Sequence, residues 1–455
     1  MGPTTFYLQS LGCPKNRVDS EVILGSLMNA GYKPVEEPLE AQLIVVNTCA
    51  FIESATEESV ETILELAQAK NLGQCELLVV AGCLPQRYGR KLVKSLPEVD
   101  LFVGTSSFVH LAEILARKQK DDLERLNLEP PRFLMTAKTP RTLSAPFYSG
   151  YLKVAEGCSN RCSFCTIPAI RGPYRSRPLN DLLQEAEWLA SQGVIELNLI
   201  AQDTTAYGSD LDGIVRLPDL LGTLAKIGYF RWIRVLYGYP QKIDGKLLQT
   251  MASHESVCNY LDLPLQHVSP HLLKAMGRSG SSKEYLKLVA MIRQHLPEVT
   301  LRTTLIVGFP GETQEDFQEL YEFVEQARFQ RLGLFAYSPE RGTRAALFSD
   351  TVEESVKIQR VQALAALQEK ISLDYNSRLV GTTQPVLIEG LSDESDLLLQ
   401  ARLASQAPEV DGCVLINKGF GKVGDIVAAR ITEAHPHDLV GEITESLNPP
   451  SKYDY

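Results

Sequence analysis

The sequence predicts an α/β multidomain protein: an N-terminal doubly wound parallel sheet, a central partial (β/α)6 barrel, and a small antiparallel β-barrel at the C-terminus. Three observations predict it. Short apolar runs alternate with helical stretches over roughly the first 115 residues, as in a parallel sheet covered on both faces. From about 146 to 350 the β/α pattern recurs about six times, too few units for a closed eight-fold barrel. From 377 to 445 short strand-like runs are separated by Gly, Asp and Ser turns. The 455 residues allow about three domains. They divide at 4–116, a linker at 117–143, 144–375 and 377–445.

Within the first unit, FYLQSLGC, LIVVNTC, LLVVAGC and LFVGT read as buried strands. Between the second and third lies SATEESVETILELAQAK. Ser54 and Glu57 have capping-box spacing, and Val60, Ile63, Leu64 and Ala67 share one helical face. The charge run RKQKDDLER and Pro130, Pro131, Pro140 and Pro146 then mark a linker or a solvated helix end. The central strands are YLKVAEG, ELNLIAQD, RWIRVLYG, NYLDLPLQH, LRTTLIVGF and LGLFAYS. Residues 352–376 form an amphipathic helix, and QPVLIEG, DLLLQARL, CVLINKG and DIVAARITEA are strands of the last unit.

Composition limits the function. No apolar run reaches the ~18 residues that span a bilayer, so no membrane association is expected. The N-terminal MGPTTFYLQS lacks a basic region followed by an apolar stretch, so no signal peptide is expected. Nine cysteines without an export signal point to metal or redox chemistry in a reducing cytoplasm. The net charge of −11 suits a basic protein partner better than a nucleic acid. Residues 380–445 carry eleven acidic and four basic side chains, a net of −7.

The cysteines carry the chemistry. Cys158, Cys162 and Cys165 are spaced C-x3-C-x2-C directly after the first central strand, at the mouth where β/α barrels do their chemistry. Three thiolates hold three irons of a [4Fe–4S] cube and leave the fourth open to a substrate, whereas an electron carrier takes four cysteines. Structural zinc also wants four ligands, and no fourth Cys or His is close in sequence. Cys13, Cys49 and Cys83 each end one N-terminal strand, and parallel sheets bind ligands at that edge. They are expected to converge as a second triad; three buried thiols ending strands is the alternative. Cys75, Cys258 and Cys413 match neither set and read as structural.

The run GCSNRCSFCTIPAIRGPYRSRP resembles the cluster loop of radical S-adenosylmethionine (SAM) enzymes. SLGCPKNRVDSE, VVNTCAFIESA, VAGCLPQR, LDLPLQH, RTTLIVGFPGE and YSPERGTRAA resemble blocks of the methylthiotransferase family within them, whose C-terminal barrel is the TRAM domain. Where tRNA-modifying members usually read GCQMN, this chain reads GCPKN followed by VDSE, similar to the branch acting on ribosomal protein uS12; QAPEVDGCVLI is also similar to that branch. The resemblance implies two [4Fe–4S] clusters, one on Cys158, Cys162 and Cys165 that cleaves SAM to a radical, and one on Cys13, Cys49 and Cys83 that carries the sulfur. It implies two SAM per turnover, a 3-methylthio-aspartate product on uS12, and an electron donor such as flavodoxin or ferredoxin. The acidic barrel agrees with a basic protein substrate, so tRNA is not expected as a partner. The alternatives are a tRNA adenosine C2 methylthiotransferase and a non-enzymatic iron–sulfur scaffold or electron carrier. A monomer is expected.

Further candidate site residues stand at the cysteine loops and the strand ends. Phe164 is similar to the aromatic at the SAM adenine, with loop packing as the alternative. Gln202 and Arg302 stand where the SAM amino-acid end could be met, or where they would order the barrel mouth. Gly308 and Glu312 of GFPGE could shape the SAM ribose site or form a turn and helix start. Lys15 and Asn16 are expected to orient the first cysteine's loop. His267 reads as a hydrogen-bonded residue of the mouth, and His435 and His437 as solvent-exposed.

Overall fold

Alternate residues of the N-terminal strands face two different apolar cores, which is what a sheet covered on both sides requires. Leu43, Val45, Val79, Ala81, Leu101 and Val103 pack with Val18, Val22, Leu27 and Leu111 on one face. Ile44, Val46, Leu78, Val80 and Phe102 pack with Ile63, Ala67, Leu84 and Leu92 on the other. The computed structural model describes residues 4–118, 124–144, 146–213, 215–393 and 395–446. Its first sheet comprises β1 (Thr5–Ser10), β2 (Lys33–Pro34), β3 (Leu43–Thr48), β4 (Leu77–Gly82), β5 (Leu101–Val103) and β6 (Leu126–Asn127). The strands are all parallel in the order β2-β1-β3-β4-β5-β6. The order reverses between β1 and β3, the switch point at which such sheets bind ligands. Cys13 follows β1 and Cys49 follows β3.

Two local expectations are corrected. The helix after β3 runs Glu53–Ala67 with Ile52 as its N-cap and no side-chain cap, so Ser54 and Glu57 form no capping box. Its Glu53 N–H instead donates to Glu340 Oε1 at 2.8 Å, a carboxylate supplied from the central domain. Ser59, Ile63 and Ala67 are its buried face, whereas Leu64 is exposed. Residues 119–123 of the charge run lie outside the described residues, and the proline-rich stretch after it contacts both flanking units. The Arg141 side chain is enclosed there by Glu21 of the first unit and Glu185 of the second.

The central sheet contains β7 (Ser149–Lys153), β10 (Glu196–Ile200), β11 (Trp232–Val235), β12 (Val257–Asp262), β13 (Thr300–Val307) and β14 (Arg331–Ala336), six parallel strands in sequential order. A short pair, β8 (Ala155–Glu156) and β9 (Arg175–Ser176), closes the base of the cysteine loop. The Glu354–Ser377 helix buries Lys357, Arg360, Leu364, Leu367 and Ile371 along one face. It leads to a closed five-stranded barrel in the order β15-β16-β17-β19-β18, formed by β15 (Thr383–Ser392), β16 (Ser395–Leu403), β17 (Val414–Lys418), β18 (Ile426–Ala434) and β19 (Leu439–Ser446). One apolar cluster joins Phe6 and Val103 of the first unit to Tyr151, Trp232 and Tyr260 of the second and Leu387 and Ile426 of the third. Shared burial of this kind fixes the three units against each other. No helix among the described residues is long and apolar enough to cross a membrane.

Candidate functional site

The first triad assembles where three strand ends meet. Cys13 is the N-cap of the Pro14–Asn29 helix, Cys49 follows β3, and Cys83 opens the Cys83–Tyr88 helix after β4. Asn16 braces the loops: its Nδ2 donates to Leu11 O at 2.6 Å and Asn47 O at 3.2 Å, and Asn47 Nδ2 donates back to Asn16 O at 2.9 Å. Gly12, at φ +88, lets Cys49 approach, since a Cβ there would stand 2.5 Å from Cys49 Cβ. Burial pushes the Cys83 thiol up to about 12, with Arg171 opposing and the charges of Cys49 and Cys13 adding to the rise. The charges of Cys13 and Cys49 thus both reach Cys83. A cavity of about 440 Å³ opens beside Cys13, bordered by Phe6, Arg17, Glu21 and Glu409.

The second triad sits on a loop held at both ends. Cys158 N–H donates to Gly172 O at 3.0 Å, Ser163 N–H to Met276 O at 2.8 Å, and Ala345 N–H to Ser163 O at 2.9 Å. Arg278 Nη1 lies 3.8 Å from Cys162 Sγ, while its Nη2 donates to Pro264 O at 2.7 Å and its guanidinium covers the Tyr239 ring at 4.5 Å. Burial pushes Cys165 up to about 12, with the neighbouring thiol charges adding to it. Gly157 turns the chain into this loop at φ +79, and a Cβ there would lie 2.2 Å from Pro173 O. Gly157→Ala is therefore expected to displace the loop, at about 1–3 kcal/mol of backbone strain plus the clash. Iron bound after anaerobic reconstitution should fall below the wild-type content; an unchanged content would contradict this.

Both triads suit an iron–sulfur cluster by donor chemistry. Each offers three thiols, and each has a guanidinium aimed at one sulfur to offset the negative charge of a thiolate-bound cluster. No group of three or more His, Cys, Asp or Glu among the described residues closes around a single ion, so the fit rests on the donor set. Cys75, at the far end of β4, bonds Leu77 O, and Cys258 is buried within β12.

A buried charge network joins the first triad's Cys83 to the central unit, and the sequence reading missed it. Arg171 ends the Ile167–Arg171 helix just beyond Cys165. It reaches into the first unit, placing Nη2 3.2 Å from Cys83 Sγ and 3.2 Å from Asn16 Oδ1, and Nη1 on Asp19 Oδ2. Lys153 Nζ donates to Asp19 and, at 2.9 Å, to Glu156 Oε2. Despite burial, Lys153 and Arg171 hold Glu156 down at about 2. Lys153 and Glu156 were visible as opposite charges in short apolar strands, but Asp19 and Arg171 lie on helices 152 residues apart.

The other expected residues are placed as follows. Gln202 Nε2 donates to Glu156 Oε1 at 2.7 Å, joining the same network. Phe164 packs on Leu272, Met276, Phe309 and Tyr337. Arg302 pairs with Asp262 at 3.2 Å and faces Asp411 of the C-terminal unit at 3.6 Å. Glu312 accepts from the Gly308 and Phe309 N–H groups and from Arg360 Nη1 at 2.7 Å, which folds the Gly308 turn onto the Glu354–Ser377 helix. His267 is buried and accepts from Ser269 N–H at 3.0 Å; burial lowers it to about 4. His435 and His437 are exposed. Lys15 does not orient the Cys13 loop as Asn16 does: its ammonium leaves the first unit and sits 3.1 Å from the centroid of the Tyr237 ring.

Three family models match the chain in order: Uncharacterized protein family UPF0004 over residues 5–104, Radical SAM superfamily over 152–324, and TRAM domain over 380–444. The chain is 50% identical to the ribosomal protein uS12 methylthiotransferase RimO of Pelobacter propionicus, over 96% of this chain and 97% of that one. It is 49% identical to the protein of the same name in Geobacter sulfurreducens, over 95% and 97%. Among solved structures it is similar in fold to the radical SAM methyltransferase TsrM of Kitasatospora setae, solved with cobalamin and a [4Fe–4S] cluster, at 15% identity and TM-score 0.56 over 85% of this chain and 81% of that one. The cobalamin-dependent radical SAM enzyme OxsB is similar at 11% identity and TM-score 0.51, over 80% of this chain and 56% of that one.

Proposed function

The chain belongs to the ribosomal protein uS12 methylthiotransferase family of radical SAM enzymes, and from that premise we propose that it inserts a methylthio group at the β-carbon of an aspartate of uS12. The observation that carries this reading is a chain about 50% identical to such enzymes along nearly its full length, in which a buried network ties Cys83 to the domain that bears the second triad. When bound, SAM and a reduced [4Fe–4S] cluster on Cys158, Cys162 and Cys165 supply a radical able to take hydrogen from an unactivated carbon, and a second cluster on Cys13, Cys49 and Cys83 supplies the sulfur.

The chain's own residues align these two functions. Arg278 and Arg171 each place an N–H beside a ligating sulfur. Asp19, Lys153 and Glu156 hold Arg171 between the first and central units. Gln202 is held on Glu156 at the mouth. The acidic C-terminal barrel favours a basic protein over tRNA, whose phosphates it would repel. We further propose a cytoplasmic monomer that takes electrons from a flavodoxin or ferredoxin and consumes two SAM per turnover.

Anaerobically reconstituted protein, given SAM and a reductant, should raise the mass of uS12 by one methylthio group. Cys13→Ala should still form 5′-deoxyadenosine but leave uS12 unmodified, and Cys158→Ala should do neither. An unchanged uS12 mass with the iron-loaded wild type would refute the proposal.

A further inference from the structure

Lys15 is 8% exposed, yet its ammonium has no hydrogen-bond or ion-pair partner among the described residues. Its contact is the face of Tyr237, 3.1 Å from the ring centroid. A buried ammonium is costly to keep without an anion, and an aromatic face compensates only part of that cost. The ring is held there against backbone strain. Tyr237 follows β11 with φ 61, a left-handed conformation that a bulky residue rarely adopts. Its N–H is fixed by Asp262 Oδ2 at 3.0 Å, and Thr204 N–H donates to its carbonyl at 2.9 Å. Asp262 is shared, with the Tyr237 N–H on its Oδ2 and Arg302 Nη1 on its Oδ1 at 3.2 Å, so its charge, like that of Cys13, reaches Lys15 without a direct hydrogen bond. The strained turn at the barrel mouth thus seats a cation of the first unit on the central domain, two residues beyond Cys13.

We infer that Lys15, seated on Tyr237, is the binding site for the side-chain carboxylate of the target aspartate. This rests on the proposed function. In an aspartate the carboxylate carbon is bonded directly to the β-carbon that is modified. A cation two residues from the sulfur-bearing triad therefore places the β-carbon beside that triad when it grips the carboxylate. An asparagine at the same position would leave the ammonium without its anion.

The test uses iron-loaded enzyme with SAM and two synthetic uS12 peptides, one with the target aspartate and one with asparagine in its place. Wild type should bind the aspartate peptide about tenfold to a hundredfold more tightly, the range expected of a charge-assisted hydrogen bond. Lys15→Met should bring that preference close to one while leaving the affinity for the asparagine peptide unchanged. Equal binding of both peptides by wild type overturns the assignment, as does a Lys15→Met protein that keeps the full preference. Should Lys15→Met fail to load iron, Tyr237→Leu decides: it keeps the ammonium but removes its platform, and a preference no smaller than wild type overturns the assignment. Wild type that leaves whole uS12 unmodified refutes the proposed function instead, whereas a modifying enzyme indifferent to the carboxylate refutes only the role of Lys15.

Discussion

Arg171→Ala is expected to destabilise the protein by about 3–5 kcal/mol, the usual cost of removing one member of a buried charge network. Arg171 and Asp19 are both almost fully buried, and the guanidinium is shared by Asp19, Asn16 and Cys83, with Glu156 3.6 Å away. Without it, Lys153 alone must balance two carboxylates. Burial then acts on Glu156 with Lys153 as the one cation left to oppose it. A cluster on Cys13, Cys49 and Cys83 should also become harder to reduce, since a positive N–H donor at Cys83 Sγ is lost. Arg171→Lys should restore charge but not the fork to Asn16 and Cys83, and so recover only part of both effects. Denaturant unfolding and a potentiometric EPR titration of the N-terminal cluster measure them. A variant within about 1 kcal/mol of wild type, with an unmoved potential, would show that the network does not couple the units.

The strands, and the cysteines that follow them, were legible because they rest on local pattern. Runs such as LIVVNTC and LLVVAGC are apolar on both faces, as strands of a covered parallel sheet must be, and each ends at a cysteine. What escaped depends on partners distant in sequence. Nothing in SATEESVE announces that Glu340, 287 residues away, will cap its helix, so the local capping signal misled. Arg171 reads as part of a conventional cluster loop until its guanidinium is seen crossing to Asp19. The proline-rich stretch before the barrel looks solvated, yet it carries Arg141 into a buried cleft between Glu21 and Glu185. Lys15 looked like a loop-orienting residue, and only the position of Tyr237 shows that it faces the barrel mouth.

Glu196→Gln is expected to cost about 3 kcal/mol at neutral pH and almost nothing near pH 2. Glu196 opens β10 and is fully buried. Its Oε1 accepts from Arg234 Nη2 at 2.9 Å and Arg402 Nη1 at 3.0 Å, and its Oε2 from Arg402 Nη2 at 2.6 Å and Ser149 Oγ at 2.8 Å. Arg402 lies on β16, so this carboxylate ties the acidic barrel to the central domain. Burial opposes its charge, but Arg402 and Arg234 prevail and hold it down at about 2, from an ordinary value of 4.5. The unfolded chain therefore binds the proton first as pH falls. The stabilisation is complete above about 4.5 and is lost as pH falls through 4.5 toward 2. Glu156 titrates over the same range, so wild type alone cannot isolate the effect, but the difference between wild type and Glu196→Gln can. Denaturant unfolding at pH 7 and at the lowest pH where both proteins fold should show the gap closing. Hydrogen exchange should show β16 opening sooner in the variant at pH 7, because Arg402 and Arg234 then share a buried site with a neutral amide. A gap that stays constant with pH would mean that the arginines do not depend on the carboxylate's charge, and the C-terminal barrel would then be held by its apolar contacts through Leu387 and Ile426 alone.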